Sequence, residues 1–252
     1  MAAEDRASER LGAGADRRPA LSAIVLGYRA EDALKPLADG LHADLTASGI
    51  DFELVLVANY DGPRPDRTAA VASEFAGAHE NVVVVAEPKL GAMGWDMRSG
   101  LDAANGDFLV VIDGDGQNPT HDVLRAYELR EGSGADVVKG RRSSRADGFA
   151  RVAISLVYNV AFTVMFGARG IWDVNGKPKG MTREALGRMR LEADDWFIDA
   201  EIVLEARRCG LVLAEFPVRF EENTERASFV GWKTVAEFVR NMFARRFRGP
   251  RG

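Results

Sequence analysis

Two aspartates separated by a single glycine are the residues of this chain best placed to do chemistry. Asp113 and Asp115 follow the apolar run FLVVI, and Gly114, Gly116 and Gln117 complete the segment. Positions i and i+2 of an extended chain face the same way, so both carboxylates converge on one point. Two such carboxylates repel unless a cation lies between them, and hard oxygen ligands favour Mg²⁺ or Mn²⁺. The segment predicts a metal site that binds substrate phosphates, although Asp and Gly also serve ordinary turns.

The elements around this pair alternate between strands and helices. Predicted strands span 21–27, 52–58, 81–86 and 108–113, and predicted helices lie within 32–48, 68–76 and 91–104. This alternation is typical of an α/β fold with a doubly wound, mostly parallel sheet. Such sheets place ligands at the carboxyl ends of their strands, which is where Asp113 falls.

The second half of the chain does not continue this regular alternation of strands and helices. Strands are predicted at 135–139 and 211–220, and Pro217 places the second one at a sheet edge. Residues 150–166 and 231–247 predict apolar or amphipathic helices. We expect three parts: a disordered tail (1–19), one α/β domain (20–220) and a C-terminal helical, membrane-associating segment (221–252).

Composition excludes several classes of protein. The net charge of −5 argues against a nucleic-acid binder, so no nucleic-acid partner is expected. The single cysteine, Cys209, excludes an internal disulfide and a thiol-ligated metal cluster. The uncharged run at 152–168 is short for a membrane span, which takes about 20 apolar residues.

Four ordered motifs carry a family resemblance. They are Gly94, Arg98, Gly100 and Leu101; Asn105-Gly106-Asp107; Asp113, Asp115, Gln117 and Pro119; and ADVVKGRR, which ends at Arg142. Together they resemble the polyprenol-phosphate glycosyltransferases, a dolichol-phosphate mannosyltransferase-like group of inverting family 2 enzymes with the GT-A fold. Weaker similarity extends from Leu21 to about Phe247.

The resemblance implies roles for particular residues. Asp113, Asp115 and Gln117 would hold Mg²⁺ or Mn²⁺ and the diphosphate of a UDP- or GDP-linked sugar. Asp115, Arg142 and Asp199 would be catalytic, with Arg142 at the acceptor phosphate. The remaining predicted substrate contacts are Tyr28, Glu31, Asn59, Asp61, Arg98, Lys177 and Lys179.

Some positions depart from the family pattern. The first strand of relatives usually ends P-x-Y-N-E, and here it ends Leu26-Gly27-Tyr28-Arg29-Ala30. The second usually ends V-D-D, and here it ends Val57-Ala58-Asn59. The late R-x-x-G-x-S-K motif keeps only its serine within 223–229. Because acidic residues at the first two strand ends read the nucleotide in relatives, the donor base stays open.

The acceptor decides whether the reaction needs a general base. A phosphate monoester is already ionised near neutral pH and needs none. A hydroxyl acceptor would need one, and Asp194, Asp195 and Asp199 are the candidates. Each could instead cap the helix that follows, the role favoured for Asp194.

These features predict a metal-dependent inverting glycosyltransferase that moves a hexose from a nucleotide-diphosphate sugar to a polyprenyl phosphate. The terminal helix combines an aromatic stripe, including Trp232, Phe243 and Phe247, with several arginines. Such a helix suits an anionic membrane surface. The predicted location is therefore cytoplasmic, peripheral at the inner face of the plasma membrane. Two alternatives stay open, a soluble acceptor and a weakened nucleotide-sugar-binding protein.

Overall fold

The computed structural model describes residues 18–63, 65–144, 162, 165–166 and 171–219. Its strands are β1 (Leu21–Leu26), β2 (Phe52–Val57), β3 (Val82–Val85), β4 (Phe108–Asp113), β5 (Val137–Ser144), β6 (Lys179–Thr182) and β7 (Leu213–Arg219). Its helices are a 3₁₀ turn (Glu31–Ala33), α1 (Leu34–Ser48), α2 (Arg67–Ala78), α3 (Met93–Ala103), α4 (His121–Ser133), α5 (Arg183–Arg188) and α6 (Ile198–Arg208).

Within these ranges the strands form one sheet in the order β3-β2-β1-β4-β6-β5-β7. β1 pairs in parallel with β2 and β4, and Leu26 is level with Val57 and Asp113. Three strands therefore end together at one edge of the sheet. The predicted α/β fold with a mostly parallel sheet is confirmed, and β7, which contains Pro217, lies at the predicted edge.

β6 runs against the direction of its neighbours. It is antiparallel to both β4 and β5, with Lys179 opposite Val111 on one side and Lys139 on the other. Its first residue consequently lies at the edge where the parallel strands end. The loop that precedes β6 therefore lies beside Asp113.

Helices cover both faces of the sheet. α1 buries Leu34, Leu37, Leu41 and Leu45 in one apolar cluster, because their spacing puts them on one helical face. α3 and α6 pack into a second cluster on the opposite face. Strands covered on both sides need continuous apolar sequence, which explains the VLV and VVI runs.

The predicted boundaries need a few corrections. β5 extends to Ser144 rather than ending at residue 139, because it continues to pair with β7. The predicted tail up to residue 17, most of the helix at 150–166 and the helix at 231–247 lie outside the described residues. In the part of the chain that the structure describes, no helix has the length and apolar character needed to cross a membrane.

One close backbone approach fixes the loop before β6 against β5. The amide of Gly140 donates to the carbonyl oxygen of Pro178 at 2.8 Å. A Cβ added at Gly176 would collide with the carbonyl oxygen of Gly140, and one added at Gly140 would collide with the carbonyl oxygen of Lys177. Glycine at both positions lets the two backbones touch.

We predict that Gly176→Ala lowers the free energy of unfolding by about 1–3 kcal/mol, the usual cost of overpacking. Urea denaturation measures this. Gly187→Ala is the matched control, because a Cβ there meets no atom within 4 Å and Gly187 lies in α5, where alanine favours the helix. A Gly176→Ala variant as stable as the control would show that the contact is unimportant.

Candidate active site

The two aspartates that follow the apolar run lie at the carboxyl edge of β4. Asp113 ends the strand, and 32% of its side chain is exposed. Asp115 accepts a hydrogen bond from the backbone amide of Gln117 at 3.0 Å, which closes a tight turn. Gly116 adopts the left-handed φ of 74° that this turn requires. Both carboxylates are partly exposed at the edge where open α/β sheets bind ligands.

This arrangement fits a hard divalent cation. Mg²⁺ is usually held by one or two carboxylates, with substrate phosphates and water completing its shell. Across the described residues, no group of three or more His, Cys, Asp or Glu side chains could hold a metal without such help. Asp113 and Asp115 would therefore hold the ion together with a bound diphosphate, and Gln117 is the nearest further oxygen donor in the sequence.

A buried ion network lies directly behind Asp113. The ammonium of Lys177 is 3.5 Å from Asp113 Oδ1 and 3.3 Å from Asp199 Oδ2. Lys179 Nζ lies 2.6 Å from Asp199 Oδ1. Burial alone would raise the pKa of Asp199, but the two lysines hold this pKa below its usual value. Asp199, at the start of α6, thus anchors both lysines.

Lys179 is buried within this network. Its side chain is fully buried, and its ammonium donates to the carbonyl of Val174 at 3.1 Å and to both the carbonyl and the carboxylate of Asp199. An ammonium has three donors, and all three are engaged. The predicted substrate contact of Lys179 is corrected to a structural role.

Asp199 also departs from its predicted role. Only 3% of the residue is exposed, and each carboxylate oxygen pairs with a lysine. A carboxylate in this state cannot reach an acceptor to remove its proton, so the structure gives Asp199 a positioning role rather than a catalytic one.

Arg142 lies on β5 beside the loop that precedes β6. Its Nε and one terminal nitrogen donate to the two oxygens of Asp173 at 2.7 and 2.8 Å, and its backbone amide donates to the same carboxylate at 3.2 Å. The neighbouring Lys139 pairs with Glu215 at 2.5 Å and also donates to the carbonyl of Asp173. The Arg142 side chain keeps 19% exposure, so it is oriented by Asp173 without being fully enclosed.

Tyr28 and Asp61 meet across the carboxyl ends of β1 and β2. The Tyr28 hydroxyl donates to Asp61, and Arg29 pairs with the same carboxylate at 3.2 Å. Burial and the hydrogen bond to Asp61 raise the pKa of Tyr28 to about 12. Lys89 lies 3.8 Å from the centre of the Tyr28 ring. The structure thus brings together two of the predicted substrate-binding residues, while Glu31 stays exposed at the start of the 3₁₀ turn.

Asn59 does not form part of this surface. The residue is fully buried, and its amide donates to Asp96 at 3.0 Å and to Ser99 at 2.9 Å. Its oxygen accepts from the backbone amide of Glu87 at 2.9 Å. The predicted substrate contact is therefore corrected, because Asn59 ties the end of β2 to α3 instead.

The partner of Asn59 is a residue that sequence reasoning missed. Asp96 is buried and forms an ion pair with Lys89, whose side chain is also buried. Burial raises the pKa of Asp96, and Lys89 counteracts part of that shift. The sequence did contain a signal that Asp96 is buried, namely its spacing from Gly100. Asp96 lies four residues before Gly100, on the face of α3 that packs against Ile24 and Val57.

Arg98 stabilises the loop that precedes α6. Its guanidinium pairs with Asp194 at 2.5 Å and donates to the carbonyl of Glu192 at 3.3 Å. The helix-capping role favoured for Asp194 is wrong, because α6 begins after Phe197 and it is Asp195 that accepts from the Phe197 amide at 2.8 Å. Arg98 and Asp194 together fix the segment before α6 onto α3.

Comparisons with known proteins agree with this architecture. A family model described as glycosyl transferase family 2 matches residues 22–187. The undecaprenyl-phosphate 4-deoxy-4-formamido-L-arabinose transferase of Photorhabdus laumondii is 28% identical over 145 residues, which cover 57% of this chain and 43% of that protein. The dolichol-phosphate mannosyltransferase of Pyrococcus furiosus is 24% identical over 228 residues, covering 88% of this chain and 62% of that protein. The chain spans less than half the length of the first relative.

A solved structure shows the same fold. The glucosyl-3-phosphoglycerate synthase of Mycobacterium tuberculosis, in complex with Mn²⁺, UDP-glucose and phosphoglyceric acid, superposes with a TM-score of 0.71 at 18% identity. The match covers 90% of this chain and 80% of that one. The predicted GT-A type of fold is confirmed, and at this level of identity the likeness concerns the fold alone.

We predict that acid weakens the fold through Asp173. Burial alone would raise the pKa of this carboxyl, but the hydrogen bonds and charge of Arg142 bring it below its usual value of 3.8. As the pH falls, the carboxyl protonates in the unfolded chain before it does in the folded chain. The unfolded state then binds more protons, so the free energy of unfolding falls from about pH 4 downwards.

Asp173→Asn should remove part of this pH dependence. Because Arg142 loses a buried partner, the variant should also lose about 3 kcal/mol of unfolding free energy at neutral pH. Urea titrations at several pH values measure both effects. Asp39→Asn is the control, since Asp39 pairs with Lys35 at an exposed position. Equal acid slopes in the wild type and in Asp173→Asn would contradict the assignment.

Proposed function

The chain belongs to glycosyl transferase family 2, and we propose that it transfers a hexose, with inversion, from a nucleotide-diphosphate sugar to a polyprenyl phosphate. The observation that carries the proposal is the position of Asp113 and Asp115. Their carboxylates lie partly exposed at the carboxyl edge of β4. The Tyr28–Asp61 pair is on the β1–β2 side, and Arg142 is on β5.

The donor would lie across the ends of β1, β2 and β4. Tyr28 and Asp61 would contact the nucleoside, and Asp113, Asp115 and Gln117 would meet the diphosphate. Bound Mg²⁺ or Mn²⁺ would neutralise the charge that develops on the leaving diphosphate. We propose a UDP-linked donor ahead of a GDP-linked one; the mycobacterial synthase, which shares the fold, was solved with UDP-glucose and Mn²⁺.

The acceptor would be the phosphate of a polyprenyl lipid. Both relatives above are named for transfer to a lipid phosphate, undecaprenyl in one and dolichol in the other. Arg142, held by Asp173 through two side-chain hydrogen bonds, would supply the charged donor that meets this phosphate. An ionised phosphate also needs no general base, which agrees with the burial of Asp199 in ion pairs.

The proposed reaction is a single displacement at the anomeric carbon. An oxygen of the acceptor phosphate forms the new bond to that carbon from the face opposite the donor diphosphate. The bond from the anomeric carbon to the diphosphate breaks, and the nucleoside diphosphate leaves with the electron pair. The protein contributes orientation and electrostatic stabilisation rather than proton transfer. We place the enzyme at the inner face of the plasma membrane, attached peripherally through residues 231–247.

We predict that Asp115→Asn abolishes hexose transfer while leaving the fold intact. The substitution removes one charge from the proposed metal pair but keeps the turn that the Asp115 side chain closes. Transfer should fall by about two orders of magnitude or more, in line with the loss of a central electrostatic group. Hexose incorporation from UDP- and GDP-sugars with Mn²⁺ measures this.

Asp102→Asn is the matched control for that experiment, because Asp102 is an exposed aspartate on α3. Its activity should equal that of the wild type. Full wild-type activity in excess chelator, or an active Asp115→Asn variant, would refute the metal site.

We predict that the acceptor must be both a phosphate and a lipid. Wild-type protein should glycosylate undecaprenyl phosphate in anionic vesicles, and it should leave undecaprenol and soluble sugar phosphates unmodified. The reason is that Arg142 pairs with a phosphate, whereas the lipid is recruited at the membrane surface. Radiolabelled product in the lipid phase provides the measurement. Faster transfer to a soluble acceptor would favour the alternative of a soluble-substrate enzyme.

A further inference from the structure

We propose that Lys177 is a positioning residue that tunes the metal affinity of Asp113 and makes metal binding depend on the donor diphosphate. The inference rests on the function proposed above and deepens it. Only 1% of the Lys177 side chain is exposed. Its ammonium has three neighbours at 3.3–3.5 Å: the carboxylates of Asp113 and Asp199, and the sulfur of Met93.

Asp113 is consequently shared between two environments. One side of its carboxylate faces the buried ammonium, and about a third of the side chain faces solvent. An ammonium donates hydrogen bonds but offers no lone pair to a metal. It therefore lowers the negative charge available to a divalent cation at Asp113 and repels that cation directly.

Lys177 is better suited to this role than the neighbouring Lys179. All three donors of Lys179 are engaged by Val174 and Asp199, whereas Lys177 bridges Asp199 and Asp113. The loop that carries Lys177 is held in place by the backbone contact of Gly176 with Gly140. The ammonium of Lys177 is thus held in place by buried residues and does not belong to a mobile surface side chain.

Counting charges shows the consequence. Asp113, Asp115 and Asp199 carry three negative charges, and Lys177 and Lys179 carry two positive ones, so the group has one net negative charge. A divalent cation alone would make the group net positive. A cation bound together with an anionic diphosphate would not make it net positive. Without Lys177 the group would carry two negative charges, which match one divalent cation. Lys177 therefore disfavours the metal alone and favours the metal–diphosphate pair.

Mn²⁺ binding followed by electron paramagnetic resonance, with and without UDP, tests the proposal without any catalytic turnover. For Lys177→Gln we expect nucleotide-free Mn²⁺ affinity to rise by about tenfold, and the enhancement by UDP to fall by a similar factor. Lys177→Met should give the same result. Asp199→Asn should do the opposite and weaken Mn²⁺ binding, because Lys177 would then pair with Asp113 alone.

Lys35→Gln is the control for net charge, because Lys35 lies in an exposed ion pair with Asp39. An unchanged Mn²⁺ affinity in folded Lys177→Gln, or an equal rise in Lys35→Gln, overturns the proposal. If neither Lys177 variant melts cooperatively, Asp199→Asn decides, and an unchanged or higher affinity overturns it. Failure of the proposed function looks different: the wild type would then show no enhancement of Mn²⁺ binding by UDP and no hexose transfer.

Discussion

The ion pairs between Asp199 and two buried lysines are the constraint on which the site depends. Burying a lysine is costly unless its charge is paired and its donors are engaged. Asp199 pairs with the charge of both lysines and accepts two of the three hydrogen bonds that Lys179 donates, the third going to the carbonyl of Val174. The two lysines flank a proline at the start of β6, so satisfying them also fixes the strand that separates β4 from β5. The proposed donor side and the proposed acceptor side are thereby joined through one charged core.

Each half of the site contains a largely buried ion pair. Beneath the proposed donor side, Asp96 and Lys89 form a buried ion pair that Asn59 ties to β2. Beneath the proposed acceptor side, Asp173 holds Arg142 through two hydrogen bonds. In the first case Lys89 lies against the ring of Tyr28, and in the second the pair holds the Arg142 guanidinium itself. Such fixed charges suit a transfer in which electrostatic stabilisation does most of the work.

Local sequence carried enough information for the elements and for the position of Asp113 and Asp115 at the carboxyl edge of the sheet. Apolar runs predicted the parallel strands, and the i, i+2 spacing brought Asp113 and Asp115 to one edge. The insertion of β6 between β4 and β5 was not predictable, because strand order depends on long-range pairing. The burial of Lys179 could not be predicted for a related reason. Lysine is almost always exposed, and only partners supplied by the tertiary structure allow its burial. Asn59 was misassigned because its partner, Asp96, comes from a helix 37 residues further along.

The central claim is that Asp113 and Asp115 jointly bind a divalent cation together with a nucleoside diphosphate. Anomalous diffraction from crystals of the wild-type protein soaked with Mn²⁺ and UDP tests it most directly. The account predicts one strong manganese peak in contact with carboxylate oxygens of both aspartates and with the diphosphate, and a much weaker peak when UDP is omitted. A peak bound elsewhere, or nucleotide density without manganese at these two carboxylates, would contradict the account.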